Sequence, residues 1–191
     1  MDGFSFHPYG ENSSTPPTFA HAYGTSLGLA DYDKLVGLLG EAFDGTAQAG
    51  SNLPIVYDEY GVDSQIPTGK RRFYGGQEPA TTKPVSEGVQ AAYYRAALEL
   101  AACQPTVRGF LIFHVTDETD YNRWQSGVYY ADGTPKSSRL FVKQTMAEIR
   151  SGAVDCGEPP VAGSKEGWEL ATAAEFAAAE VGGWVFVDAS G

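Results

Sequence analysis

Apolar positions along this chain follow two spacings, and the two spacings alternate. Short runs of strand formers at residues 3–9, 53–60 and 108–115 are each followed by a segment whose apolar residues recur every three or four positions. The first run is bounded by Pro8 and opens into a polar, turn-rich loop over residues 10–17. From Asp31, a candidate N-cap, Leu35, Leu38, Leu39 and Phe43 mark a helix that Asp44-Gly45 closes. Residues 63–85 form a connection rich in Gly, Pro and Thr, of a length that in compact domains is functional or mobile. Ser86 is placed to cap a second helix with Val89, Ala92, Tyr93, Ala96 and Leu100 on its apolar face, stopped by Pro105. The third run is almost continuously apolar, as in a sheet covered on both faces. Beyond the Asp132-Gly133 turn, Ser137 or Ser138 is the expected cap of a third helix carrying Leu140, Phe141, Met146 and Ile149.

Strand-helix repetition of this kind predicts an α/β fold with a parallel sheet, and both an open doubly wound sheet and part of a (β/α)8 barrel fit it. Ligands of such folds sit at the carboxyl ends of the strands, where His7, Tyr9, Glu59 and His114 fall. No glycine-rich phosphate loop follows any of the three runs, which argues against a nucleotide cofactor. In the central run, strand alternation puts Tyr57 and Glu59 on one face and Val56 and Asp58 on the other, so Asp58 is expected to pair behind the barrel wall or to accept from backbone amides. Gly61 allows a close backbone approach just past Glu59. Pro159-Pro160 and Gly163-Ser164 read as linker, residues 171–179 as a short helix and 184–188 as a strand, which divides the chain into 1–152 and 153–191.

The formal net charge of -11 argues against a nucleic-acid partner, because the one basic cluster, Lys70-Arg71-Arg72, is isolated and reads as a solvated loop. Eleven Tyr, ten Phe and three Trp suit a site that stacks rings against sugar, so carbohydrate is the expected partner. No stretch has the length of a membrane span, and the start of the chain has no targeting pattern. Because the first residues already form a strand with a functional end, the chain is expected to be a fragment. Asp117, Glu118 and Asp120 read as an acidic, solvated loop. His7, His114, Asp117 and Glu118 lack compact ligand spacing, so neither a metal nor another cofactor is expected. An aldolase-like chemistry would want a Lys at a strand end, whereas Lys70 and Lys83 lie in the long loop.

Phe6-His7-Pro8-Tyr9, Tyr57-Asp58-Glu59-Tyr60-Gly61, Trp124-Gln125-Ser126-Gly127 and Ala131-Asp132-Gly133-Thr134-Pro135-Lys136 together resemble the last third of the clan A glycoside hydrolases, retaining (β/α)8 enzymes similar to cellulases and related glycanases. The resemblance covers residues 1–152 and would make the three strands the sixth, seventh and eighth of a barrel. It implies that Glu59 is the nucleophile, with His7 and Tyr9 flanking it from the sixth strand. The acid/base of that family follows an Asn at the end of the fourth strand, a station this chain does not contain. Its eighth strand often ends in Trp, where this sequence has Phe113-His114, so either Trp124 folds back over the site or the subsite differs, and His114 is a candidate to orient Glu59 or to cap the barrel end. The resemblance implies hydrolysis of O-glycosidic bonds once the upstream barrel is present, with a non-catalytic carbohydrate-binding barrel as the alternative.

Cys103 precedes the third strand and Cys156 follows the third helix. The start of a strand and the end of the helix after it lie at the same end of a βα unit, so the two are expected to form a disulfide, and with it to indicate an extracellular or secreted protein.

Overall fold

The computed structural model describes residues 2–157 of the 191-residue chain. Three parallel strands, β1 (Phe4–Phe6), β2 (Ile55–Tyr60) and β3 (Val107–Ile112), form an open sheet in chain order. Helices α1 (Tyr32–Phe43), α2 (Glu87–Ala102) and α3 (Ser137–Ser151) follow them in turn. This is an incomplete α/β fold with the arrangement of three successive units of a (β/α)8 barrel. β1 and β3 are shorter than the runs of strand formers, since Pro8 and the loop beyond Ile112 end the ladder early. The anticipated helix at 171–179 and strand at 184–188 lie outside the described residues.

One core forms where β2 meets the helices. Ile55 and Tyr57 are completely buried against Leu35 and Leu39 of α1 and Tyr94, Ala97 and Ala101 of α2. Tyr57 donates its hydroxyl to Gln104 (2.7 Å), which donates in turn to the Leu29 carbonyl (2.8 Å), so the phenol is buried without an unpaired proton. β3 departs from the expected double cover: Leu111 is 52% exposed, and Val115, just past the strand, 69%. Their face of the sheet is open because no further strands or helices lie against it among the described residues.

Two of the three predicted caps do not form, and in one of them the capping group comes from a distant part of the chain. Ser86 accepts from the Val89 N–H as expected. Asp31 stands at the N-cap of α1, yet its buried carboxylate accepts from the N–H groups of Gly28 and His21, from the His21 ring and from Lys34. Burial pushes the Asp31 carboxyl up, but these donors outweigh it and hold it below its ordinary value. Neither serine caps α3: Glu87, in the first turn of α2, accepts from the Ser137 N–H (2.5 Å), while Ser138 donates to Gln90 (3.0 Å). α2 and α3 are thereby joined through polar groups as well as packing, with Arg95 pairing Glu148 at 2.9 Å.

Cys103 and Cys156 are bonded, with their Cα atoms 5.3 Å apart. The bridge ties the end of α2 to the segment beyond α3. Cys103→Ser is expected to lower unfolding stability by about 2–4 kcal/mol, mainly by releasing the unfolded chain. Urea denaturation with and without reductant checks it: wild type should lose that stability on reduction, and the variant should be indifferent to reductant.

Candidate functional site

The carboxyl end of β2 brings Glu59, Tyr9 and His7 together. Tyr9, in the loop after β1, donates its hydroxyl to Glu59 Oε1 at 2.9 Å. Burial, and after it the bond to Glu59, push the Tyr9 phenol up, so it remains a donor at any ordinary pH. His7 Nε2 lies 3.2 Å from Asp58 Oδ1, and its Nδ1 lies 4.0 Å from Glu59 Oε2.

One imidazole between two neighbouring acids overturns the expectation that Asp58 pairs behind the sheet. Strict alternation fails because the register of β2 against β3 shifts between Tyr57 and Tyr60. Tyr57 stays in the core, Asp58 reaches the open face, and Glu59 turns to the rim instead of sharing the Tyr57 face. The Ser5 hydroxyl, and with it His7, holds Asp58 below the usual carboxylate range. Gly61 is needed for close approach: a Cβ there would stand 2.5 Å from the Phe113 carbonyl oxygen and 3.0 Å from Ser126 Cβ.

Trp124 does fold back over the rim. Its ring stacks on Tyr9 at a centroid distance of 5.5 Å and meets Phe113 edge-on at 5.7 Å. Tyr9 and Trp124 wall a cleft of about 280 Å³ whose polar lining includes Asn12, Ser13, Thr15 and Thr82. The cleft lining contains two acids, Glu11 and Asp63, and no Lys or Arg. The contacts of His114 are to Glu118, whose Oε1 lies 3.6 Å from its Nε2, and to Phe113, against which its ring lies. Among the described residues no group of three or more His, Cys, Asp or Glu side chains could hold a metal ion.

Beneath the rim lies a buried charge network that sequence reading missed. Asp117 is not a solvated loop acid; its side chain is fully buried, as is that of Lys136. Lys136 Nζ donates to Asp117 Oδ1 (2.7 Å), Ser64 Oγ (2.8 Å) and the Gln125 carbonyl (2.9 Å). Asp117 also accepts from the Tyr74 hydroxyl and the Gly127 N–H. Burial pushes the Asp117 carboxyl up and the Lys136 ammonium down, each opposed by the other's charge. The Lys70-Arg71-Arg72 cluster is likewise structured: it lies in a 3-10 helix (Thr68–Phe73), and Lys70 pairs with Asp132 at 2.9 Å. The Thr134 hydroxyl and Lys70 bring the Asp132 carboxyl down to about 2.

No protein-family model matches the chain, and no curated protein does. Among solved structures it is similar to a Faecalibacterium prausnitzii β-glucuronidase, at 20% identity and a TM-score of 0.41 over 78% of this chain and 22% of that one. It is similar also to a Bifidobacterium dentium β-glucuronidase complexed with coumarin-3-O-glucuronide (20%, 0.37, 61% of this chain and 18% of that one). A third is a Lactobacillus rhamnosus β-glucuronidase (16%, 0.40, 76% and 22%). The chain spans about a fifth of the length of these structures.

Proposed function

We propose that this chain carries the nucleophile side of a retaining O-glycosidase site, with Glu59 as the nucleophile. The observation that carries the reading is the Tyr9 hydroxyl holding Glu59 at a parallel-strand end, beside a ring-walled cleft. Retention requires a carboxylate that attacks the anomeric carbon and a carboxyl about 5 Å away that protonates the leaving oxygen. Glu59 fills the first role, while the second falls to residues from the remaining units of a barrel that this open sheet would complete. Tyr9 fixes one oxygen of the attacking group, leaving the other for the sugar. Tyr9 is stacked between Tyr60 and Trp124, so the Trp124 ring is the one that offers apolar contact to a pyranose, and the hydroxyl and amide side chains nearby offer hydrogen bonds to its hydroxyls. Acids without a compensating cation in the cleft lining favour an uncharged sugar over a uronate. The disulfide supports an extracellular setting. A second reading, a carbohydrate-binding relative without turnover, differs only in lacking the acid.

The test uses a leaving group that needs no protonation. A panel of 2-deoxy-2-fluoro-glycosyl fluorides, incubated with the protein carrying the complete barrel, is expected to leave one sugar esterified to the peptide containing Glu59, read by mass spectrometry after digestion. Label on another carboxylate, or none with any member of the panel, overturns the assignment. Sugar binding without label favours the second reading.

A further inference from the structure

Asp63, in the cleft wall, joins by hydrogen bonds all three loops at the carboxyl ends of the strands. It lies in the loop after β2 and is 3% exposed. Its Oδ2 accepts from the Ser13 hydroxyl in the loop after β1 (3.1 Å), and that hydroxyl accepts from the Asp63 N–H (2.9 Å). Its Oδ1 accepts from the Gln125 N–H in the loop after β3 (2.6 Å). The Ser64 N–H donates to the Gln125 carbonyl at 3.2 Å, doubling the second tie.

Gln125 follows Trp124 directly, Trp124 stacks on Tyr9, and Tyr9 holds Glu59. A carboxylate with both oxygens occupied by loop donors has little left to offer a ligand. We propose that Asp63 is a positioning residue: it latches the three rim loops so that Trp124 lies flat on Tyr9 and forms the sugar-facing wall beside Glu59. The assignment rests on the glycosidase reading for its catalytic consequence, but the latch itself is a statement about Trp124. The segment that carries Trp124 is held within its own loop, since the Glu118 N–H donates to the Trp124 carbonyl (2.9 Å) and Lys136 to the Gln125 carbonyl (2.9 Å), but neither bond reaches the loop after β1 on which Tyr9 stands. The Asp63 bonds to the Gln125 N–H and to Ser13 supply that reach and fix the Trp124 segment relative to the Tyr9 loop.

Asp63→Leu is close in size to the carboxylate side chain and offers no acceptor, so both Ser13 and Gln125 lose their partner. Ser13→Ala releases the β1 loop alone and serves if the first variant folds poorly. In a Trp168→Phe, Trp184→Phe background, Trp124 is the sole tryptophan of this chain, and acrylamide quenching of its emission is expected to rise about twofold or more in Asp63→Leu. In the protein carrying the complete barrel, KM for an activated aryl glycoside is expected to rise about tenfold with kcat changed by less than about threefold. A residue that merely stabilised the fold would lower the melting temperature and move neither number below it. Unchanged quenching together with unchanged KM in both variants overturns the latch. Absence of turnover in the parent overturns the glycosidase reading, and the quenching result then decides the latch by itself.

Discussion

Glu59→Gln is expected to reduce kcat by at least about a thousandfold in the protein carrying the complete barrel, with sugar affinity kept within a few-fold. The amide preserves the length of the side chain and can still accept from Tyr9 through its oxygen, so the rim geometry at 2.9 Å has no reason to collapse. What is lost is the pair of electrons that forms the glycosyl ester. A second variant separates nucleophile from binding residue. Glu59→Ala opens room for azide, which is expected to restore part of the turnover of an activated aryl glycoside and to yield a glycosyl azide inverted at the anomeric carbon. Wild-type turnover in Glu59→Gln, or an azide product of retained configuration from Glu59→Ala, would sink the assignment.

Lys136→Met is expected to lower unfolding stability by about 3–5 kcal/mol, the largest loss from any single substitution considered for this fold. Methionine fits an unbranched, buried path, so the cost comes not from volume but from Asp117, left with the Tyr74 hydroxyl and the Gly127 N–H as donors and no opposing charge. Two further results follow. The Asp117→Asn, Lys136→Met double variant should recover a large part of the loss, because it removes both charges rather than one. The single variant should also recover on acidification. With its cation gone, the native-state carboxyl of Asp117 is pushed further above its unfolded value, so the native state takes up a proton before the unfolded chain does, and stability rises as pH falls from 7 toward about 4. Urea midpoints at pH 7 and pH 5 for the three proteins measure all of this. A double variant no more stable than Lys136→Met would show that the loss arises elsewhere.

How much of this was legible depended on the range of the interaction. The helices and the central strand follow from periodicity, since an apolar stripe at helical spacing has one way to be buried. The meeting of Tyr9 with Glu59 was also readable, because parallel strands in chain order must place their ends side by side. The facing of Asp58 and Glu59 was not. Alternation presumes an even ladder, but between Tyr57 and Tyr60 β2 advances three residues against two on β3, from Phe110 to Ile112, and only the pairing with β3 reveals that extra residue. Asp117 was misread for a related reason: among Glu118 and Asp120 it looks like one more exposed acid, and only the fold of residues 117–136 shows that Lys136 returns to meet it. The cap of α3 lies 50 positions away, in Glu87. Local propensity cannot anticipate a carboxylate lent by a neighbouring helix.

The Cys103–Cys156 bond has a topological consequence. It turns β3, the loop that carries Trp124 and the whole of α3 into a closed covalent ring, with Asp117 and Lys136 both inside it. A single cut in that ring produces new chain ends but no second molecule. A protease that nicks the loop between β3 and α3 would leave a particle of undiminished mass on a non-reducing gel, its halves parting only when thiol is added. The rim would thus be built partly on a loop whose backbone can be broken without the two sides diffusing away.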